Sequence, residues 1–214
     1  MRNTRSLTRR TVLAAVSVTA AFALAACGAD GDGGDAAASS SSPSASVGAV
    51  GAHNGQDVSF AQGMIPHHRQ ALEMAELAAG RAASAQVKDL ASRIEKGQDP
   101  EIKTMSGWLA SWGEKVPAAS DGMAESMPGM DHSGGKAMPG MMGASDMDEL
   151  KKASGKDFDA MFLAMMVRHH QGAVAMADVE KSKGEYGPAK TMADAVVTAQ
   201  TAEIAEMNRL LGKN

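Results

Sequence analysis

Two stretches of this 214-residue chain carry one chemistry-bearing pattern, M-x-x-H-H-x-x-A-x-x-M-A. In the first, Met64 stands three residues before His67 and four before His68; in the second, Met166 stands likewise before His169 and His170. On a helix this spacing puts the thioether and both imidazoles on neighbouring turns of one face. A thioether beside imidazoles is a soft donor set, suited to Cu(I) and, through the imidazoles, to Cu(II) or zinc. Iron in a four-helix bundle calls for Glu-x-x-His on facing helices. Here the residues three before each histidine are Met64, Ile65, Met166 and Val167, so the di-iron pattern fails at its defining positions. Burying four imidazoles without partners is costly, which favours metal binding. The competing reading makes the histidines satisfied core side chains and Met74, Met105, Met176 and Met207 core volume.

Two further groups of polar and soft residues accompany the motif. Gln98 and Glu101 recur as Gln200 and Glu203, three apart on one helix face. They are read either as groups that hold the imidazole tautomers or as a polar layer that fixes helix register. A Gly/Pro/Met/Ser linker at 114–145 holds Met123, Met127, Met130, His132, Met138, Met141 and Met142. Linkers are normally poor in apolar residues, and exposed methionines outside the cytoplasm are open to oxidation. Clustered thioethers with one imidazole can wrap Cu(I) or Ag(I) without a preformed site; the alternative is that a few of them pack onto the helices.

The elements that position these groups follow from periodicity. Phe60, Met64, His67/His68, Ala71, Met74/Ala75 and Ala78 recur at three- and four-residue steps, predicting a helix from about Asp57 that Gly80 ends. A second helix is expected over about 85–112, kinked or restarted at Pro100. A short helix over 146–153, stopped by Gly155, a third long helix over about 158–183 and a fourth from Pro188 to about Leu211 complete the set. Shifting the chain by 102 residues superposes the two halves without a gap: Asp57 on Asp159, Phe60 on Phe162, Ala91 on Ala193, Glu101-Ile102 on Glu203-Ile204 and Leu109 on Leu211. Two duplicated amphipathic hairpins bury their stripes against each other, so the expected fold is all-α, a four-helix bundle over 57–212. Asp57 and Asp159 are expected at helix N-termini, where the macrodipole favours them. Aromatics make up only 3% of residues, and the 17 methionines supply the missing core volume.

The N-terminus speaks to location. Arg2, Arg5, Arg9 and Arg10 precede an apolar run too short to cross a bilayer, which closes with Leu24-Ala25-Ala26-Cys27. Residues 1–26 thus read as an export signal ending in a lipobox, with Cys27 the lipidated first residue of the mature chain; the plainer alternative is an ordinary secretory signal with an incidental cysteine. Thr8-Arg9-Arg10 loosely resembles a twin-arginine signal, which leaves the export route open. Residues 27–56 are mostly Gly, Ala, Ser and Asp and read as a flexible tether. Removing the signal leaves 17 basic against 25 acidic side chains, a formal charge of −8. No basic stripe is present, so nucleic acid is excluded as a partner. The expected partners are metal ions and, through the lipid on Cys27 alone, a membrane; the sequence carries no signal for oligomeric state.

The duplicated F-x-x-x-M-x-x-H-H-x-x-A-x-x-M-A and Q-x-x-E-I-x-x-M motifs resemble the bacterial exported Met/His-rich family known as domain of unknown function 305. The resemblance covers about residues 57–211. It implies a ferritin-like helical bundle and a link to copper, with Met64, His67, His68, Met166, His169 and His170 at the matching positions. The resulting expectation is a lipid-anchored, extracytoplasmic protein that sequesters or relays copper and is not an enzyme. The alternatives are a ferritin-like oxidoreductase and a structural envelope or interaction protein with core histidines.

Overall fold

The computed structural model describes residues 51–118 and 138–213. Cys27, the export segment, most of the tether and the linker residues Met123, Met127, Met130 and His132 lie outside the described residues. The described chain is all-helical: α1 (Gly55–Arg81), α2 (Ala85–Trp112), α3 (Ala144–Lys152), α4 (Gly155–Lys183) and α5 (Gly187–Leu210). An isolated bridge between Ala82 and Gly155 is the one strand-like feature among these residues.

Local chemistry explains the helix boundaries. Helix α1 starts at Gly55, two residues earlier than expected, because Asn54 caps it: the Asn54 side chain accepts from Gln56 N (2.8 Å) and Asp57 N (3.2 Å). Helix α2 closes on Gly113 at φ 75°, a left-handed position that suits glycine. It runs unbroken through Pro100, and α1 likewise contains Pro66. Helix α3 ends at Lys152, short of the expected stop, and Gly155 instead opens α4.

Helices α1 and α2 pack as one hairpin, α4 and α5 as the other, with α1 against α4. The apolar residues form two clusters rather than one. One joins the C-terminal half of α1 and the N-terminal half of α2 to Phe158, Phe162 and Met166 of α4 and to Met207. The other joins Phe60, Met64 and Ile65 to Met105 and Leu109 of α2 and to Ala173, Ala177 and Val196. The 102-residue shift carries members of each cluster into the other, as an approximate two-fold axis across the helices requires. Between the clusters lies the level of the histidine pairs.

The duplicated aspartates do more than face a helix dipole. Asp57, fully buried, accepts backbone N–H bonds from Asn54 (2.6 Å) and, across the chain, from Glu185 (3.1 Å) and Tyr186 (2.9 Å) in the α4–α5 loop. Asp159 reciprocates, accepting from Ala83 (3.1 Å) and Ser84 (2.9 Å) in the α1–α2 loop. Residues 83–84 and 185–186 are themselves repeat partners, so each hairpin closes the loop of the other. Burial acts to raise the Asp57 carboxyl, but the bonds it accepts outweigh that and hold it below its ordinary value. Asp57→Ala strands three backbone donors and is expected to cost about 3 kcal/mol in urea denaturation, and Asp159→Ala, with two donors, about 2 kcal/mol; equal stability with the parent would show that the clasps contribute nothing.

Candidate metal centre

Helices α1 and α4 bring their histidine pairs together at the level between the two apolar clusters. His67, His68 and His170 are 0% exposed and His169 is 1% exposed, so solvent satisfies none of them. The His67 and His169 rings lie 3.8 Å apart between centroids, tilted by 40°, and His170 lies 6.4 Å from His169.

Three of the four rings have one nitrogen fixed. His68 Nε2 lies 2.7 Å from Glu101 Oε2, and His170 Nε2 lies 2.7 Å from Glu203 Oε2, the same bond in both halves. His67 Nε2 lies 3.1 Å from the Pro139 carbonyl oxygen. A carbonyl or carboxylate only accepts, so in each case Nε2 carries a proton and Nδ1 is the ring position left for a ligand. Those Nδ1 atoms of His67, His68 and His170 are buried and have no hydrogen-bond partner, and neither do both nitrogens of His169. Burial, the neighbouring His68 and His170 drive the His67 imidazole down to about 3, against the smaller upward pull of Pro139. Burial followed by His67, His170 and His68 pushes His169 well below its usual value. Both rings are therefore neutral at physiological pH, the state in which imidazole can ligate a metal.

The remaining sequence-predicted residues divide. Met64 and Met166 are fully buried, each in the apolar cluster bordering the histidines. Glu101 and Glu203 fix tautomers, whereas Gln98 and Gln200, one turn away, are buried with Gln98 Oε1 and Nε2 and Gln200 Oε1 unpartnered. Met138 and Met141 are half-buried and Met142 is buried against the helices. Among the described residues no group of three or more His, Cys, Asp or Glu side chains is placed to hold an ion. A harder ion that needs such a cage is poorly served, while a soft ion content with imidazole and thioether fits the donors present.

Sequence reasoning missed the Pro139 carbonyl, Gln70 and Gly172. Gln70 exchanges two bonds with the Met142 backbone, Nε2 to O at 2.9 Å and N to Oε1 at 2.7 Å. Arg69 beside it donates to Pro117 O and Ala118 O, both at 2.8 Å. Both described ends of the linker thus fasten to α1 just past its histidine pair.

Comparison with known proteins gives a consistent picture. Residues 57–211 match the family profile described as domain of unknown function, DUF305. A DUF305 protein from Streptomyces coelicolor is 31% identical, with 74% of this chain and 93% of that chain covered and a TM-score of 0.63. A DUF305 fragment from Deinococcus radiodurans is 28% identical, with 75% and 98% covered and a TM-score of 0.62. CopM in its Cu(I)-bound form is 34% identical, with 72% and 94% covered and a TM-score of 0.57; CopM has also been solved with Cu(II) and with silver. No curated protein matches the chain. No helix among the described residues is long and apolar enough to cross a membrane.

Proposed function

The chain belongs to the DUF305 family, and from that premise we propose that it is an extracytoplasmic copper-binding protein, sequestering or relaying Cu(I) and able to take Cu(II) or silver. One observation carries the reading: four buried imidazoles meet at one level with five ring nitrogens unpartnered, in a site whose tautomers are set from outside by Glu101, Glu203 and Pro139. A folded protein rarely leaves such atoms unsatisfied without a ligand to satisfy them. The ion would draw its imidazole ligands from among His67, His68, His169 and His170, no three of which converge on one point as placed, with Met64 and Met166 as adjacent thioethers and the linker methionines as a capture arm. Copper bound there would supply no reaction; the chain is a carrier, not an enzyme. The four long helices are read as a ferritin-like bundle and Cys27 as a lipid anchor to the outer face of the membrane. The relatives crystallised with copper and silver, and the one described as secreted, support this reading.

The test is titration of the mature chain with Cu(I), Cu(II), Zn(II) and Fe(II) against competing chelators. Chelator-resistant Cu(I) is expected, lost when His67, His68, His169 and His170 are all alanine. No chelator-resistant copper in the parent would overturn the reading. Loss only on deleting residues 120–147 would move the site into the linker, and iron-dependent oxidase activity would favour the ferritin-like oxidoreductase.

A further inference from the structure

Deepening the copper reading and resting on it, we propose that residues 138–142 form a docked strap that gates the histidine site. The strap is packed backbone on backbone. A Cβ on Gly172 of α4 would run into the Pro139 oxygen, and one on Gly140 would fall 2.6 Å from the Arg168 oxygen and 2.9 Å from that of His169. Gly140 has φ +80°, so glycine is required there for conformation as well as for space. The two-way amide bond of Gln70 to Met142 fastens the strap, and Arg168 Nη2 reaches the Met142 sulfur at 3.6 Å.

The duplication marks the strap as functional in its own right. Under the 102-residue shift Gln70 pairs with Gly172, and Pro66 pairs with Arg168. The two halves keep the histidine pair, Glu101 as Glu203 and Asp57 as Asp159, but diverge at Pro66/Arg168 and Gln70/Gly172 beside the strap. A single strap on a two-fold platform needs a fastener on one helix and a gap on the other, which is what Gln70 and Gly172 provide. Its contact with His67 makes the two central rings inequivalent: Pro139 engages His67, while His169 has a partner on neither nitrogen.

Gating follows from burial. All four imidazoles are at most 1% exposed, so an ion reaches them only when some covering element moves. The helices above and below are packed through whole apolar clusters; the strap contributes only Met142 to one of them and is otherwise held by a few hydrogen bonds, and a cavity of about 540 Å³ beside Met142 leaves its flank open. Opening frees His67 from Pro139, and the half-buried thioethers of Met138 and Met141, soft donors for Cu(I), travel with the strap. Closing returns the Pro139 carbonyl to His67 Nε2 and leaves Nδ1 as the donor.

The experiment compares the parent with Gln70→Ala and Gly172→Ala, reading backbone hydrogen exchange at the Met141 and Met142 amides by NMR and the rate of Cu(I) transfer from a chelator by stopped flow. In both variants exchange is expected to accelerate and Cu(I) uptake to quicken about tenfold, the worth of one or two lost hydrogen bonds. Gln70→Ala keeps the test intact should Gly172→Ala fold poorly. Faster exchange with unchanged uptake, or unchanged exchange in Gln70→Ala, would overturn the gate while copper binding stands. Absence of chelator-resistant copper from the parent and both variants would overturn the copper reading, and the gate with it.

Discussion

His169→Leu is expected to make the metal-free protein more stable while weakening its hold on copper. The ring is 1% exposed and neither nitrogen has a partner, so the folded apo state carries the desolvation of both. Removing two such atoms in a side chain of similar volume is worth on the order of 2 kcal/mol, or about 4–8 °C in melting temperature for a domain of this size. The same change at His68 has the opposite sign, because it strips Glu101 of its 2.7 Å partner and leaves a half-buried carboxylate behind. Calorimetry on the apo proteins, paired with Cu(I) chelator competition, measures both effects. A destabilised His169→Leu protein would identify that ring as ordinary packing and remove it from the ligand set. Stability spent on ligands is recovered when they bind, so copper is expected to raise the melting point of the parent and leave that of His169→Leu little changed.

The second large effect is a dependence of apo stability on pH in which two groups oppose each other. His67, held at about 3 when folded, titrates near 6.5 when unfolded, and His169 is depressed in the same direction. Below pH 6.5 the unfolded chain takes up protons that the folded chain refuses, so stability falls as pH drops, by about 1.4 kcal/mol per unit for each ring. Glu180 works the other way. Burial, together with the adjacent Asp57, raises it to about 7, so the folded chain keeps its proton where the unfolded chain has lost it. That contribution is fully present below about 4.5 and is lost as pH rises through 7; allowing for solvent screening it is about 1–2 kcal/mol. The net expectation is a loss on the order of 2 kcal/mol between pH 6.5 and 5, read from urea denaturation. Glu180→Gln should steepen the acid loss, and His169→Leu, which removes one of the two rings while Glu180 still opposes the other, should abolish most of it. A flat profile in the parent would mean that the rings are not neutral in the folded state.

Much of the fold was legible because the chain says it twice. Hairpins, histidine pairs and the Gln/Glu repeat all fall out of one shift, and Pro188 marks the start of α5 to within a residue, whereas the Asn54 cap that starts α1 early was not read. Glu101 and Glu203 were readable as tautomer holders because polar residues rarely recur on a helix face without a partner. Gln98 and Gln200 share that pattern yet bond to no imidazole, so recurrence alone does not assign the role. Asp57 and Asp159 looked like dipole residues because the backbone N–H donors that bind them across the chain lie in loops more than seventy residues away, beyond any local spacing. The strap was hidden for a different reason. Its decisive group is a backbone carbonyl, which has no sequence signature; its trace is negative, the break in the repeat at Gln70 and Gly172. The aromatic lock of His53 stacked on Trp112 at 4.4 Å, edged by Tyr186, was hidden likewise, since it joins three distant segments.

The reciprocal clasps bear on how such a chain came to be one molecule. A single hairpin holds an aspartate with no loop to bind and a loop with no aspartate to bind it, and its apolar stripe ends at a half-set of histidines. Only a second copy supplies what is missing, through an isologous contact of two-fold symmetry. The linker therefore joins what two separate subunits would otherwise have to find by diffusion, replacing a concentration-dependent encounter with a fixed effective concentration. That join makes assembly of the centre independent of how many copies are present.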